Sequence, residues 1–111
     1  MAVTEIDSDW HPTLLDLSQV EGAFSFEEGF SRPDWNLIRR AIDKVASSGE
    51  LDIAWVDAGI QWALRLQRDL GGEYRVRCSK QFILLSAQDL GSATELLRFT
   101  ESTLARIYSA L

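Results

Sequence analysis

Few side chains in this sequence could do chemistry on their own: one histidine (His11), one cysteine (Cys78), and two short acidic clusters, Asp7 with Asp9 and Glu27 with Glu28. A single histidine excludes a two-histidine zinc site and the H-E-x-x-H arrangement, and any Ser-His-Asp triad would have to use His11. That residue stands beside Pro12 in an acidic stretch that promises little of the rigid support general base catalysis needs. It reads as a surface residue or one at the start of a helix. Cys78 falls at the inward positions of a strand with Tyr74 and Val76, where a thiol behaves as a small hydrophobe; Arg77 and Lys80 would activate it only if it were exposed. The acidic clusters lack the glycine-containing spacing of a calcium loop. Gly71-Gly72 follows a helix rather than a strand and has no Walker-type lysine, so no phosphate-cradling loop is expected. No catalytic, cofactor-binding or metal-binding residue is assigned, no cofactor is expected, and an enzyme is not the expected class.

The elements that would position any site come from composition and periodicity. With 111 residues, 46% hydrophobic and 25% charged, the chain suits one soluble domain with a real core. An unpaired cysteine, an acidic N-terminus and the absence of a long apolar run make the cytoplasm the expected compartment and a membrane an unexpected partner. The net charge of -6 is unevenly placed: residues 1–34 hold eight acids and one base, residues 35–111 nine acids and ten bases. An acidic arm on a near-neutral body argues against nucleic-acid binding, which needs clustered Lys and Arg.

The expected fold class is α+β: an acidic N-terminal arm over 1–32, then a single domain over 33–111 made of an antiparallel helical hairpin, a β-hairpin and a long C-terminal helix. In the arm, Trp10, the leucines 14, 15 and 17, and Phe24, Phe26 and Phe30 predict partial docking on the body. The first helix is expected to begin with Pro33 in its first turn, to bury Trp35, Ile38, Ala41, Ile42 and Val45, and to stop at Ser47-Ser48-Gly49 with glycine left-handed. The second, from about residue 50 to Leu70, is apolar on several sides and therefore central, ending at Gly71-Gly72 with Arg65 and Arg68 near its negative pole.

In the hairpin, alternation puts Tyr74, Val76 and Cys78 on one face and Arg75 and Arg77 on the other, as in a half-exposed edge strand. Phe82–Leu85 is apolar throughout and predicts a central strand covered on both faces, with the N-terminal arm as the covering element; Leu84→Asp is expected to unfold the domain. Ser92 and Glu95 have the spacing of a capping box, and apolar residues from Ala93 to Leu111 follow at helical spacing. Trp35, Trp55 and Trp62 lie on helix stripes and read as core packing, and the Arg39/Arg40 and Arg75/Arg77 pairs as solvated faces.

The segment 63–87, with Gly71-Gly72 and the run Ser79-Lys-Gln-Phe-Ile-Leu-Leu-Ser, followed by the helix from Ala93 to Ile107, resembles the N-terminal, non-catalytic region of bacterial peptidase-MA-like proteins. Ser79, Phe82, Leu84 and Ser86 resemble the strand of that region. The zinc-binding H-E-x-x-H of the family lies downstream of it and has no counterpart here, so no metal ligand carries over. The resemblance implies helices with a small sheet, serving a substrate-side or assembly role. Three functions follow as expectations. The first is a non-catalytic protein-binding or assembly module, acting on a protein partner or by self-association. The second is an accessory part of a peptidase-like enzyme whose zinc site is on another chain, and the third an acidic inhibitor or immunity-type protein. The expected partner-binding residues are Trp10, Glu27, Glu28 and Phe30 of the arm and Arg75 and Arg77 of the arginine face.

Overall fold

A computed structural model describes residues 1–111. The fold is α+β, in the order β1 (Thr4–Ile6), β2 (Phe24–Glu27), β3 (Phe30–Pro33), α1 (Trp35–Val45), α2 (Leu51–Leu70), β4 (Arg75–Cys78), β5 (Ile83–Ser86) and α3 (Leu90–Ala110), with short 3-10 turns at Leu17–Gln19 and Ser48–Glu50. A three-stranded antiparallel sheet has the order β1-β4-β5, and β2 and β3 form a separate hairpin.

α2 is the central helix, as its several apolar faces predict. On one side Ala54 and Ala58 pack with Ile38 and Ile42 of α1 and with Leu17 and Ala23 of the N-terminal segment. Further along, Ile60 and Ala63 meet Ile6 and Val76 of the sheet. Gly59 permits this approach: a Cβ there would stand 2.9 Å from Ile83 Cδ1. Gly71, at φ 108°, ends α2 in a conformation that side chains resist.

The acidic stretch 1–32 is docked along most of its length. β1 pairs with β4, Thr4 opposite Cys78 and Ile6 opposite Val76. Polar side chains of α2 hold the backbone that follows. Asp57 accepts from Thr13 N at 2.7 Å, and Gln61 accepts from Leu17 N (2.8 Å) while donating to Leu15 O (2.9 Å). Near the far end of α2, Trp62 Nε1 donates to Ser31 O and Asp69 accepts from Ser31 N, pinning β3. Peptide groups with no strand partner are thereby satisfied, which is what lets irregular chain pack on a core.

Several local expectations are corrected. β4 is the central strand and β5 an edge strand, because β1 occupies the free side of β4. The two faces of β5 meet different helices: Leu85 packs with the α2 cluster, whereas α3 lies against β5 on the reverse face, where Glu101 accepts from Ser79 Oγ and Gln81 N. α3, not the N-terminal segment, covers that second face. Pro33 closes β3 instead of opening α1, whose N-cap is Asp34, accepting from Leu37 N. α1 stops at Val45, and Gly49 is not left-handed. The Ser92/Glu95 capping box does not form, since Asp89 caps α3 three residues earlier through Ser92 N at 2.8 Å.

The caps carry a pH signature. Hydrogen bonds from Ser18 hold the Asp16 carboxyl below its ordinary range, and those from Ser92 and Ser47 do the same for Asp89 and Glu50. A carboxyl whose folded pKa is lowered stabilises the fold above its unfolded pKa and loses that contribution as pH falls through the folded value. Urea midpoints are therefore expected to fall as pH drops below the ordinary carboxylate range. Asp89→Asn, which retains a capping oxygen but cannot titrate, is expected to show a shallower fall; an unchanged slope would show that this cap is not coupled to folding.

Candidate functional site

An open cleft of about 520 Å³ with polar walls lies between the N-terminal segment and α2. Helical spacing assembles one wall, since Gln61, Leu64, Arg65 and Arg68 are three and four residues apart and share a face of α2. The residues after β1 form the opposite wall with Trp10 and Asp16, and Arg75 closes one end at the start of β4. Asp57 and Gln61 tie the backbone at residues 13–17 to α2 and so help to hold this wall in place.

The lining sets three carboxylates against three arginines, but the carboxylates have close partners and the arginines have none that are acidic. Its three carboxylates are already engaged: Glu5 pairs with Arg77 at 3.4 Å, Asp7 accepts from Asp9 N at 2.9 Å, and Asp16 accepts from both Ser18 N and Ser18 Oγ. Its three arginines are not paired with acids. Ion pairs within 4.0 Å involve only Arg32 and Arg77, and Arg75 donates to the carbonyls of Gly72 and Tyr74. Arg65 lies with its guanidinium carbon 4.2 Å from the centre of the Phe24 ring, a cation–π contact that fixes its position. Burial, and after it the neighbouring Arg68, pull the Arg65 guanidinium below its ordinary pKa against the opposing pull of Asp16 and Asp69. Loss of solvent around the guanidinium is the main cause of that shift, and the adjacent cation adds to it.

No family model, curated protein or solved structure matches this chain.

The six residues expected to bind a partner fall in three places. Trp10 and Arg75 share the cleft. Glu27, Glu28 and Phe30 sit at the exposed tip of the β2–β3 hairpin, whose two-residue turn has positive φ at both Glu28 and Gly29 and whose acids lie 3.8 and 3.5 Å from Arg32. Arg77 is corrected from exposed to buried: it is 6% accessible, paired across the strands with Glu5 and donating to Gln88 O, because β1 lies beside it and the start of α3 over it. Sequence reasoning missed Arg65 and Arg68 as site residues. Their spacing with Gln61 and Leu64 was a visible signal, but the opposite wall came from unpredicted structure.

The tryptophans are also repositioned. Trp35 packs against Trp55 and edge-on against Trp62 (centroids 6.2 and 5.6 Å apart), yet Trp35 and Trp55 are 40% and 37% accessible. Trp35 and Trp62, with Leu66, Ile83 and Leu85, line an apolar groove of about 370 Å³. α3 is more exposed still. Ala93 and Leu97 are buried, whereas Phe99, Ile107 and Tyr108 are each more than half accessible. Cys78 is half-buried, and burial pushes its thiol pKa up, which suits an inert packing residue. No three His, Cys, Asp or Glu side chains gather as a metal site, and no helix is long and apolar enough to cross a membrane.

Proposed function

We propose that this protein is a non-catalytic assembly module that self-associates through the C-terminal half of α3. The observation that carries the reading is the exposure of Ile107 in α3 and of Leu111 just past its end, one turn apart on the same side, with Tyr108 exposed beside them and Phe99 exposed on another face. The spacing of the stripe supports it. Ala93, Leu97, Thr100, Leu104, Ile107 and Leu111 alternate at four and three residues, the seam by which one helix packs along another. Its first two members are buried, whereas Ile107 and Leu111 are exposed. A second copy presenting the same stripe is the simplest complementary surface. The accessory role implied by the resemblance to peptidase-MA-like proteins is a variant of this reading in which the helix meets a zinc-bearing partner instead.

Sedimentation velocity over a wide concentration range tests it. The wild-type protein is expected to shift from monomer toward dimer as concentration rises. Ile107→Glu, at an exposed position that leaves the melt unchanged, is expected to remain monomeric. A wild-type protein that stays monomeric throughout, or a variant that dimerises equally well, would overturn self-association through α3.

A further inference from the structure

We propose that the cleft between the N-terminal segment and α2 binds a small phosphate monoester carrying an aromatic group, with Arg65, Arg68 and Arg75 holding the phosphate. The inference is independent of the assembly reading and concerns a different face of the molecule.

Three arguments converge. The first is the imbalance of partners. Every carboxylate lining the cleft is committed to a nearby donor, while the three guanidinium groups have no acidic partner. Each guanidinium presents a planar fork of N–H donors suited to oxyanions. The second is charge magnitude. A carboxylate offers two acceptor oxygens and one negative charge, whereas a phosphate monoester carries about -1.5 to -2 near neutral pH and three acceptor oxygens, enough to engage several guanidinium forks at once. It also relieves the repulsion between Arg65 and Arg68, which no residue of the chain offsets within ion-pair distance.

The third argument is shape. A volume near 520 Å³ lies in the range of small-molecule sites and exceeds what a bare phosphate fills. The remaining wall holds Trp10 and Leu64, both half-buried and both packed on the apolar cluster of Ile6, Ile60, Ala63 and Val76. They offer an aromatic and an aliphatic surface to a flat ring. Arg65 is already positioned by Phe24, so ordering it on binding forfeits little side-chain freedom.

Isothermal titration of the full chain with phenyl phosphate, inorganic phosphate, benzoate and phenol tests this. Phenyl phosphate is expected to bind saturably at one site per chain, more tightly than inorganic phosphate, with benzoate weaker and phenol giving no saturable heat. Arg68→Gln and Arg75→Gln, both at exposed positions, are each expected to weaken phenyl phosphate about tenfold or more while leaving the melt unchanged. Arg40→Gln, an exposed arginine of α1 outside the cleft, should bind as wild type does. Absence of saturable phenyl phosphate binding, benzoate binding as tightly as phenyl phosphate, or unchanged affinity in both cleft variants would each overturn the proposal.

Discussion

Val76→Asp is expected to abolish cooperative unfolding near neutral pH, leaving circular dichroism without a thermal transition. Val76 is fully inaccessible and lies on the central strand, where it packs with Ile6, Ile60 and Ala63. A carboxylate there would have no cationic partner on its own face, because Arg77 points to the reverse side. Burying an unpaired carboxylate removes more than the ~5–15 kcal/mol that holds a typical domain together, unless it protonates or the sheet opens. Val76→Thr provides the scale: nearly the same shape, with a buried hydroxyl costing about 1–3 kcal/mol, should still melt cooperatively at lower temperature. Leu84→Asp, expected from sequence to be the lethal change, should be milder. Leu84 is only half-buried on an edge strand and sits directly opposite Arg77, a cation within reach of a new carboxylate. A melt for Val76→Asp as sharp as wild type would show that β4 is not the centre of the sheet.

That reversal shows where the sequence was informative. Local pattern located all three helices and the β4–β5 hairpin to within a few residues, since each has a period or a terminator of its own: Gly71 after Leu70, the apolar repeat through α2, the alternation of Arg75 to Cys78. It misjudged which strand was central because that depends on β1, a three-residue strand with no period to detect. Thr4–Ile6 is a strand only because β4, about seventy residues on, offers it a partner. Phe82–Leu85 was expected to be covered on both faces, with the N-terminal arm on the second; the second cover is instead the helix that follows it. The tryptophans were misplaced on helical stripes because periodicity finds a face without saying whether anything covers it. The cleft was least legible of all. Its arginines are ordinary members of an amphipathic helix until the irregular chain from Asp7 to Ser18 is laid against them, and that chain is held by side chain–backbone hydrogen bonds that no local pattern encodes.

Those bonds make Gln61 the residue on which fold and cleft both depend. Its side chain satisfies Leu17 N and Leu15 O simultaneously, and Leu17, 2% accessible, is the contribution of this segment to the core around Ile38 and Ile42. Gln61→Leu keeps the volume and removes both partners, leaving two part-buried backbone groups unpaired at about 1–3 kcal/mol each, so a loss near 3 kcal/mol is expected in urea unfolding. Gln61→Glu retains the acceptor for Leu17 N and loses the donor to Leu15 O, and should fall between the two. Asp57 still holds Thr13 N in either variant, so the segment should loosen rather than detach, read as faster proteolysis confined to residues 11–20. Phenyl phosphate affinity should then drop although every arginine of the cleft remains, because Trp10 and Asp16 would no longer be held opposite them. If Gln61→Leu unfolds at the wild-type urea midpoint, the clamp contributes nothing and the cleft wall is held by Asp57 and the core alone. If it loses stability yet binds phenyl phosphate unchanged, the arginines need no opposite wall.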